Sequence, residues 1–254
     1  MSTEVIPDSP VRTQLRRTSY RLLRLSILFA LGYLLLVYQL TPALWRSHLR
    51  RHPALAAVST VTQTSAGIPG DPLNVAIVGG QPELQQAMLA AGWYPADALT
   101  LRSCLKIAGD TLLHRRYEDA PVSNLYLMGR KEDLAFEKPV GDSPRQRHHV
   151  RFWCCEQRDA EGRPAWIGAA TFDSSVGLSH TTGQITHHIA ADIDRERSLL
   201  LGDLHRAGQT DEVYWLADFQ KSREGRNGGG DPWHTDGRLG VAVLKTNRDE
   251  SSED

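Results

Sequence analysis

His148–Glu156 reads HHVRFWCCE and Ala165–Phe172 reads AWIGAATF, with Asp159-Ala160-Glu161-Gly162 between them. The first run alternates. Val150, Phe152 and Cys154 fall on one side of an extended chain, and Arg151, Trp153 and Cys155 fall on the other. The second run is apolar and the connection is turn chemistry, so the pair predicts an antiparallel hairpin. Local pairing of this kind makes the fold α+β rather than a strict βαβ alternation.

Working outward, Asn74–Val78 (NVAIV), Ser123–Met128, Leu134–Phe136, Val213–Phe219 and Leu239–Leu244 read as further strands. Helices are expected over Glu83–Ala91, with Pro82 in the first turn and Gly92 as the stop, over Leu99–Arg115, and over Ile193–Ala207 with Asp192 as its cap. Cys104 falls on the apolar stripe of the second. The expectation is a mixed, largely antiparallel sheet with about three helices.

Ahead of this domain lies Leu25–Trp45, 21 residues without a charge. At ~1.5 Å per residue that length crosses the ~30 Å hydrocarbon core, which predicts a transmembrane helix. A signal peptide would have a shorter apolar stretch and an A-x-A-like site, whereas Pro42, Trp45 and Arg46 follow here. Arg12, Arg16, Arg17, Arg21 and Arg24 precede the helix and Arg46, Arg50 and Arg51 follow it. That bias puts the N-terminus in the cytoplasm and the domain outside. The chain then divides into a disordered basic tail (1–20), an anchor (21–45), a linker (46–70), a domain (71–245) and a disordered acidic tail (246–254).

Composition narrows the function. A formal net charge of −1 argues against a dedicated nucleic-acid binder. Three cysteines without a CxxC pair support neither a disulfide scaffold nor a thiolate zinc site. Neither a GxSxG elbow nor a P-loop is present.

Three polar constellations remain. Arg145, Arg147, His149 and Arg151 share one face of a strand. Either anions meet that face, with phosphate or carboxylate recognition as the functional reading, or it is a solvated sheet face paired with nearby acids. Ser179–His188 carries His180, Thr182, His187 and His188. Adjacent histidines on a strand point opposite ways, so one from each pair, His149 with His187 or His188, would have to meet across strands to make a metal site or an acid/base pair. Arg226–Gly237 carries Asn227, Gly229, Asp231, His234 and Asp236 on a glycine-rich loop. It reads either as a flexible connection or as a ligand-approaching loop with acid/base groups.

DPLNVAIVG (71–79), AAGWYPAD (90–97), SPRQRHHVRFW (143–153), GLSHTTGQITHHI (177–189) and EGRNGGGDPWHTDGRL (224–239) together resemble the LssY C-terminal domain family. The resemblance implies a bacterial domain placed after membrane helices, in some relatives behind a lipid-phosphatase module of the phosphatidic-acid phosphatase type. It brings no catalytic residues with it. The phosphatase motifs themselves are missing: Gln146 stands where a proline is needed, Gly177-Leu178-Ser179-His180 only echoes the Pro-Ser-Gly-His motif, and Gly229 stands where a histidine is needed. Two functions follow as expectations. The first is binding of an anionic, phosphorylated or lipid-linked ligand through Arg145, Arg147, Arg151, His180, Thr182, Asn227 and Gly229. The second is a metal-assisted or histidine-dependent hydrolase using His149, His187, His188, Asp231 and Asp236. No cofactor is assigned.

Overall fold

The computed structural model describes residues 10–41, 43–44, 60–96, 124–141, 146–183 and 185–246. The helix expected at 99–115, and with it Cys104, lies outside these residues, as do Arg145, Pro42, Trp45 and the tail from 247.

The fold is α+β. Its spine is the hairpin of β8 (Arg147–Arg158) and β9 (Pro164–Leu178), turned by Asp159, whose Oδ1 accepts from the amides of Glu161 and Arg163 at 3.0 and 2.8 Å. At 15 residues β9 is long enough to template several neighbours. One edge carries β8, then β7 (Leu134–Pro139) and β4 (Tyr94–Pro95), all antiparallel. The other edge carries β3 (Val75–Val78) beside Ala165–Gly168 and β10 (Ile185–Ile189) beside Asp173–Leu178. Beyond β3 lie β14 (Leu239–Leu244), parallel to it, and β11 (Thr210–Leu216). The sheet is thus mixed, with β14–β3 as its parallel pair.

One face of this sheet is covered by α2 (Gln81–Ala90) and α3 (Ile193–Arg206). Leu84, Met88, Leu200 and Leu204 pack there against Val75, Phe136, Val150 and Phe152. Both helices carry the predicted terminal chemistry: Pro82 in the first turn of α2, and the Asp192 carboxylate accepting from the amides of Asp194 and Arg195 on α3. The opposite face is covered over part of its length by a second sheet, ordered β2 (Pro69–Pro72), β1 (Val61–Thr64), β5 (Leu125–Leu127), β6 (Arg130–Lys131). Leu73 and Leu125 meet Trp153 and Ala169 there. A small hairpin, β12 (Glu224–Arg226) with β13 (Pro232–His234), completes the strand set.

Two boundaries differ from expectation. Residues 46–70 do not all form a linker, because β1 and β2 make a hairpin from Val61 onward. Ser65-Ala66-Gly67 is its turn, closed by the Gly67 amide donating to the Thr64 carbonyl at 2.8 Å. AGIPG therefore marks a turn inside the domain and not its start. Residues 10–20 are helical and not a disordered tail. The helix α1 runs Pro10–Leu35 and continues as a π-turn over Leu36–Leu40. Proline suits a first turn, and no glycine or proline interrupts Val11–Leu31, so helix propagates from the apolar stretch back to Pro10. Within it, Tyr20–Leu40 is long and apolar enough to cross a membrane.

A buried ion-pair node closes the far end of the fold. Arg197 of α3 donates Nη1 and Nη2 to the two carboxylate oxygens of Asp236 at 2.9 Å each, lies 3.1 Å from Asp194, and sits 4.7 Å from the centre of the Trp215 ring. Asp236 is thereby held well below the usual carboxylate range, since Arg197 and Arg238 outweigh the cost of its partial burial. Replacing Arg197 with alanine is expected to cost roughly 3 kcal/mol in chemical denaturation, the low end for a broken buried pair because both carboxylates keep some water. Arg238→Ala, at an exposed partner of the same carboxylate, should leave the denaturation midpoint close to that of the parent.

Candidate functional site

Alternation along β8 sends His148 and His149 to opposite faces. His148 turns toward the helices, where its Nδ1 meets Glu196 at 2.8 Å. Arg147, His149 and Arg151 turn to the other face, as predicted. That face is not solvated: the three are 7 %, 1 % and 6 % exposed. A buried guanidinium needs a full set of acceptors. Arg147 finds them on three neighbouring strands, donating to Glu137 of β7 at 2.8 Å, to Asp173 of β9 at 3.1 Å and to His187 Nε2 of β10 at 3.3 Å. Arg151 lies 3.4 Å from Asp71 at the end of β2. The anions that meet this strand are the protein's own.

The geometry assigns a tautomer to His187. Arginine has no acceptor, so Nε2 must carry the lone pair and Nδ1 the proton. Nδ1 stands 3.5 Å from Asp173, an electrostatic contact without hydrogen-bond alignment. Burial lowers the His187 pKa, against the opposing pull of Asp173, so the ring is neutral. His149 is held far lower by complete burial, reinforced by Arg151 and Arg147, and its Nε2 has no hydrogen-bond partner. Asp71 moves up, chiefly through burial; Arg151 offsets part of that shift and Asp173 adds to it.

Where the apolar cover of the second sheet ends, this charged region opens into a cleft of about 570 Å³. Its walls bring together Asp71, Arg151, Asp173, His187, Ser179, Thr182, Asn227 and Gly229, and one side is formed by Tyr38 and Gln39 of the N-terminal helix. The three constellations singled out in the sequence therefore meet, although they are separated by up to about eighty residues. The helix is tied to the domain at two points. Tyr33 donates its hydroxyl to the Gly183 carbonyl at 2.5 Å, and Val37 is buried.

Beside the cleft, His188 Nδ1 lies 2.7 Å from Asp231 Oδ1, and the Ile189 amide donates to Asp231 Oδ2 at 3.1 Å. The glycine-rich loop delivers Asp231 through a tight turn, in which Asn227 Oδ1 accepts from the Asp231 amide and the Gly230 amide donates to the Asn227 carbonyl. Its glycines serve close approach within the protein: a Cβ on Gly228 would stand 2.6 Å from the Pro69 carbonyl oxygen, and Gly230, at φ +87°, would meet the His180 Cβ at 2.8 Å.

Of the sequence candidates, Arg151, Thr182, His187, Asn227 and Gly229 line the cleft. His180, His188 and Asp231 flank it, while Arg147 and His149 lie behind its wall. Asp236 belongs to the Arg197 node instead. Three carboxylates of the site, Asp71, Glu137 and Asp173, escaped the sequence reading. The available signal was the cationic face of β8 itself, which cannot be buried without acids on the strands beside it.

The LssY C-terminus family matches residues 55–239. The chain belongs to this family. The match spans β1 to the first residue of β14 and so contains every wall of the cleft except the helical one. No curated protein and no solved structure matches the chain.

His149 gives the site a pH signature. Above pH ~6.5 it is neutral in both folded and unfolded chains. Below that, the unfolded chain takes up a proton that the folded one refuses, so stability falls with decreasing pH by up to ~1.4 kcal/mol per unit. The raised pKa of Asp71 acts the other way, because there the folded state takes up its proton first. Denaturation curves from pH 7.5 to 5 should show a shallower acid loss in His149→Gln than in the parent; equal slopes would remove His149 from the account.

Proposed function

We propose that the chain is a single-pass membrane protein whose domain binds the phosphorylated or otherwise anionic headgroup of a membrane-resident amphiphile. The observation that carries this reading is the shared cleft: Tyr38 and Gln39 of the apolar helix line it together with Arg151 and His187. A retained helix, not a cleaved signal, accounts for the Tyr33 and Val37 contacts. Tyr38 and Gln39 lie within two residues, about 3 Å, of Leu40, the end of the apolar span. That puts the part of the cleft they line at the border between the hydrocarbon core and the headgroup layer. The cleft volume falls within the ~300–1,000 Å³ of small-molecule sites. Five arginines before the uncharged stretch Leu25–Trp45 and three after it support a position of the domain on the outer side of a bacterial inner membrane, in the periplasm.

Arg151 is the guanidinium that faces the cleft, and Asp71 is the carboxylate that competes for it. Protonating Asp71 releases Arg151 to an incoming anion. The upward shift of Asp71 brings that event to higher pH than for an ordinary aspartate. Arg147 is a poor test of binding, because its loss would leave the buried Asp173 and the half-buried Glu137 without their shared guanidinium.

Calorimetric titration of the full chain in nanodiscs with short-chain phosphatidylglycerol and phosphatidylcholine separates the cases. The first headgroup keeps one negative charge from pH 7 to 5 and the second is zwitterionic. Phosphatidylglycerol should bind more tightly, and more so at pH 5. Arg151→Ala should weaken it roughly 10- to 100-fold, the ~1.5–3 kcal/mol of a hydrogen bond to a charged group. Equal affinity for the two headgroups, or an unaffected Arg151→Ala, rejects the proposal.

A second reading is hydrolysis at the same place, and the His188–Asp231 contact favours it. A carboxylate that orients an imidazole is the arrangement a general base uses. Release of headgroup by the full chain, abolished by Asp231→Asn, would select it over binding alone.

A further inference from the structure

The turn after β9, the adjoining strand β10 and the glycine-rich loop farther along the chain bring His180, His188 and Asp231 together so that one ligand atom of each lies within 4.8 Å of the others. The geometry points to a site here for a divalent first-row transition metal ion, with zinc as the best match. Two imidazoles and one carboxylate are a donor set that zinc takes in catalytic sites, with a further position left for water or substrate. This inference stands on the triad and does not depend on the nature of the cleft's ligand.

The positioning is specific. The His180 amide donates to the Gly229 carbonyl at 2.8 Å, which locks the turn after β9 onto the glycine-rich loop. The Ser179 hydroxyl accepts from the amides of Thr181 and Thr182 at 3.2 and 3.1 Å and shapes that turn. Ser174 holds the His188 carbonyl from β9, at 2.9 Å. The Ile189 amide occupies Asp231 Oδ2, the kind of outer hydrogen bond that orients a ligating carboxylate. The two imidazole rings stand 5.1 Å apart, tilted by 42°. Asp231 is buried and His180 is exposed, so the cluster has a buried inner ligand and an outer one that opens to solvent.

Zinc bonds of about 2.0–2.2 Å bring tetrahedral ligands to roughly 3.3–3.5 Å from one another. Rotation of the exposed His180 side chain supplies most of that closure. On the inner side, the ion takes the place of the proton shared by His188 and Asp231. Ser179, His187 and Gly229, the chain neighbours of the triad, line the cleft, so the ion would add a divalent positive charge beside Asp71 and Asp173.

The test uses the full chain without a polyhistidine tag, in detergent micelles, stripped with a chelator and dialysed. Titration with zinc, read by calorimetry and by elemental analysis of the re-dialysed protein, should show one ion per chain. Cobalt(II) should produce the visible absorption bands of a tetrahedral site. His180→Ala keeps the fold, because that side chain is exposed, and should weaken zinc binding by more than ~100-fold, beyond what loss of an outer-shell partner costs. His205→Ala, exposed on α3, should leave binding unchanged. The proposal is overturned if the parent takes up no stoichiometric zinc, or if folded His180→Ala binds it as tightly as the parent.

Discussion

Burying the cationic face of β8 is the constraint on which the rest of the molecule turns. A guanidinium removed from water costs several kcal/mol unless acceptors surround it. Arg147 meets that demand by drawing in Glu137 from β7, Asp173 from β9 and His187 from β10. Three strands are thus pinned in register by one side chain. The same face changes character along its length. Trp153 and Ala169 are capped by Leu73 and Leu125 at one end, whereas Arg151, His149 and Arg147 follow at the other, where the apolar cover stops. The cleft is the place where a sheet face stops being core.

Loops complete it. The turn after β9 and the glycine-rich loop before β13 are held to each other by the His180 amide and by the close approach at Gly230. Functional groups on loops gain precision when the loops are tied to a rigid scaffold, and here the scaffold is the longest strand of the sheet. Because Arg147 and Arg151 are already matched by acids, the cleft is not a plain cationic trap. Under the proposed binding role, affinity for an anion would depend on what displaces or neutralises Asp71.

Much of this was legible in the sequence. The period-2 pattern of RHHVRFWCCE (147–156) correctly split the two histidines and put Arg147, His149 and Arg151 together. Asp192, Pro82 and the Asp159–Gly162 turn carried the right local signals. What the sequence could not convey was burial. A strand face rich in arginine reads as solvated until its acids are found, and Asp71, Glu137 and Asp173 lie 80, 10 and 26 residues from their arginines. Pairing over such separations is a tertiary event with no local signature. The β1–β2 hairpin was missed for a related reason, since AGIPG is equally good as a boundary and as a hairpin turn. Asp236 was chosen for the histidine and aspartate beside it in sequence, but the groups that hold it are Arg197, 39 residues away, and Arg238.

The two adjacent thiols on β8 have a consequence for where such a fold can work. Cys154 and Cys155 are free, alternate across the strand, and both have pKa values raised by burial. A bridge between neighbours that point to opposite sides is strained, and a raised pKa leaves little thiolate to oxidise. A bridge between these two thiols is therefore disfavoured in a reducing and in an oxidising compartment alike. The vicinal pair carries no signal about the side of a membrane on which the domain matures, and the arginines around the apolar helix are the feature that bears on it.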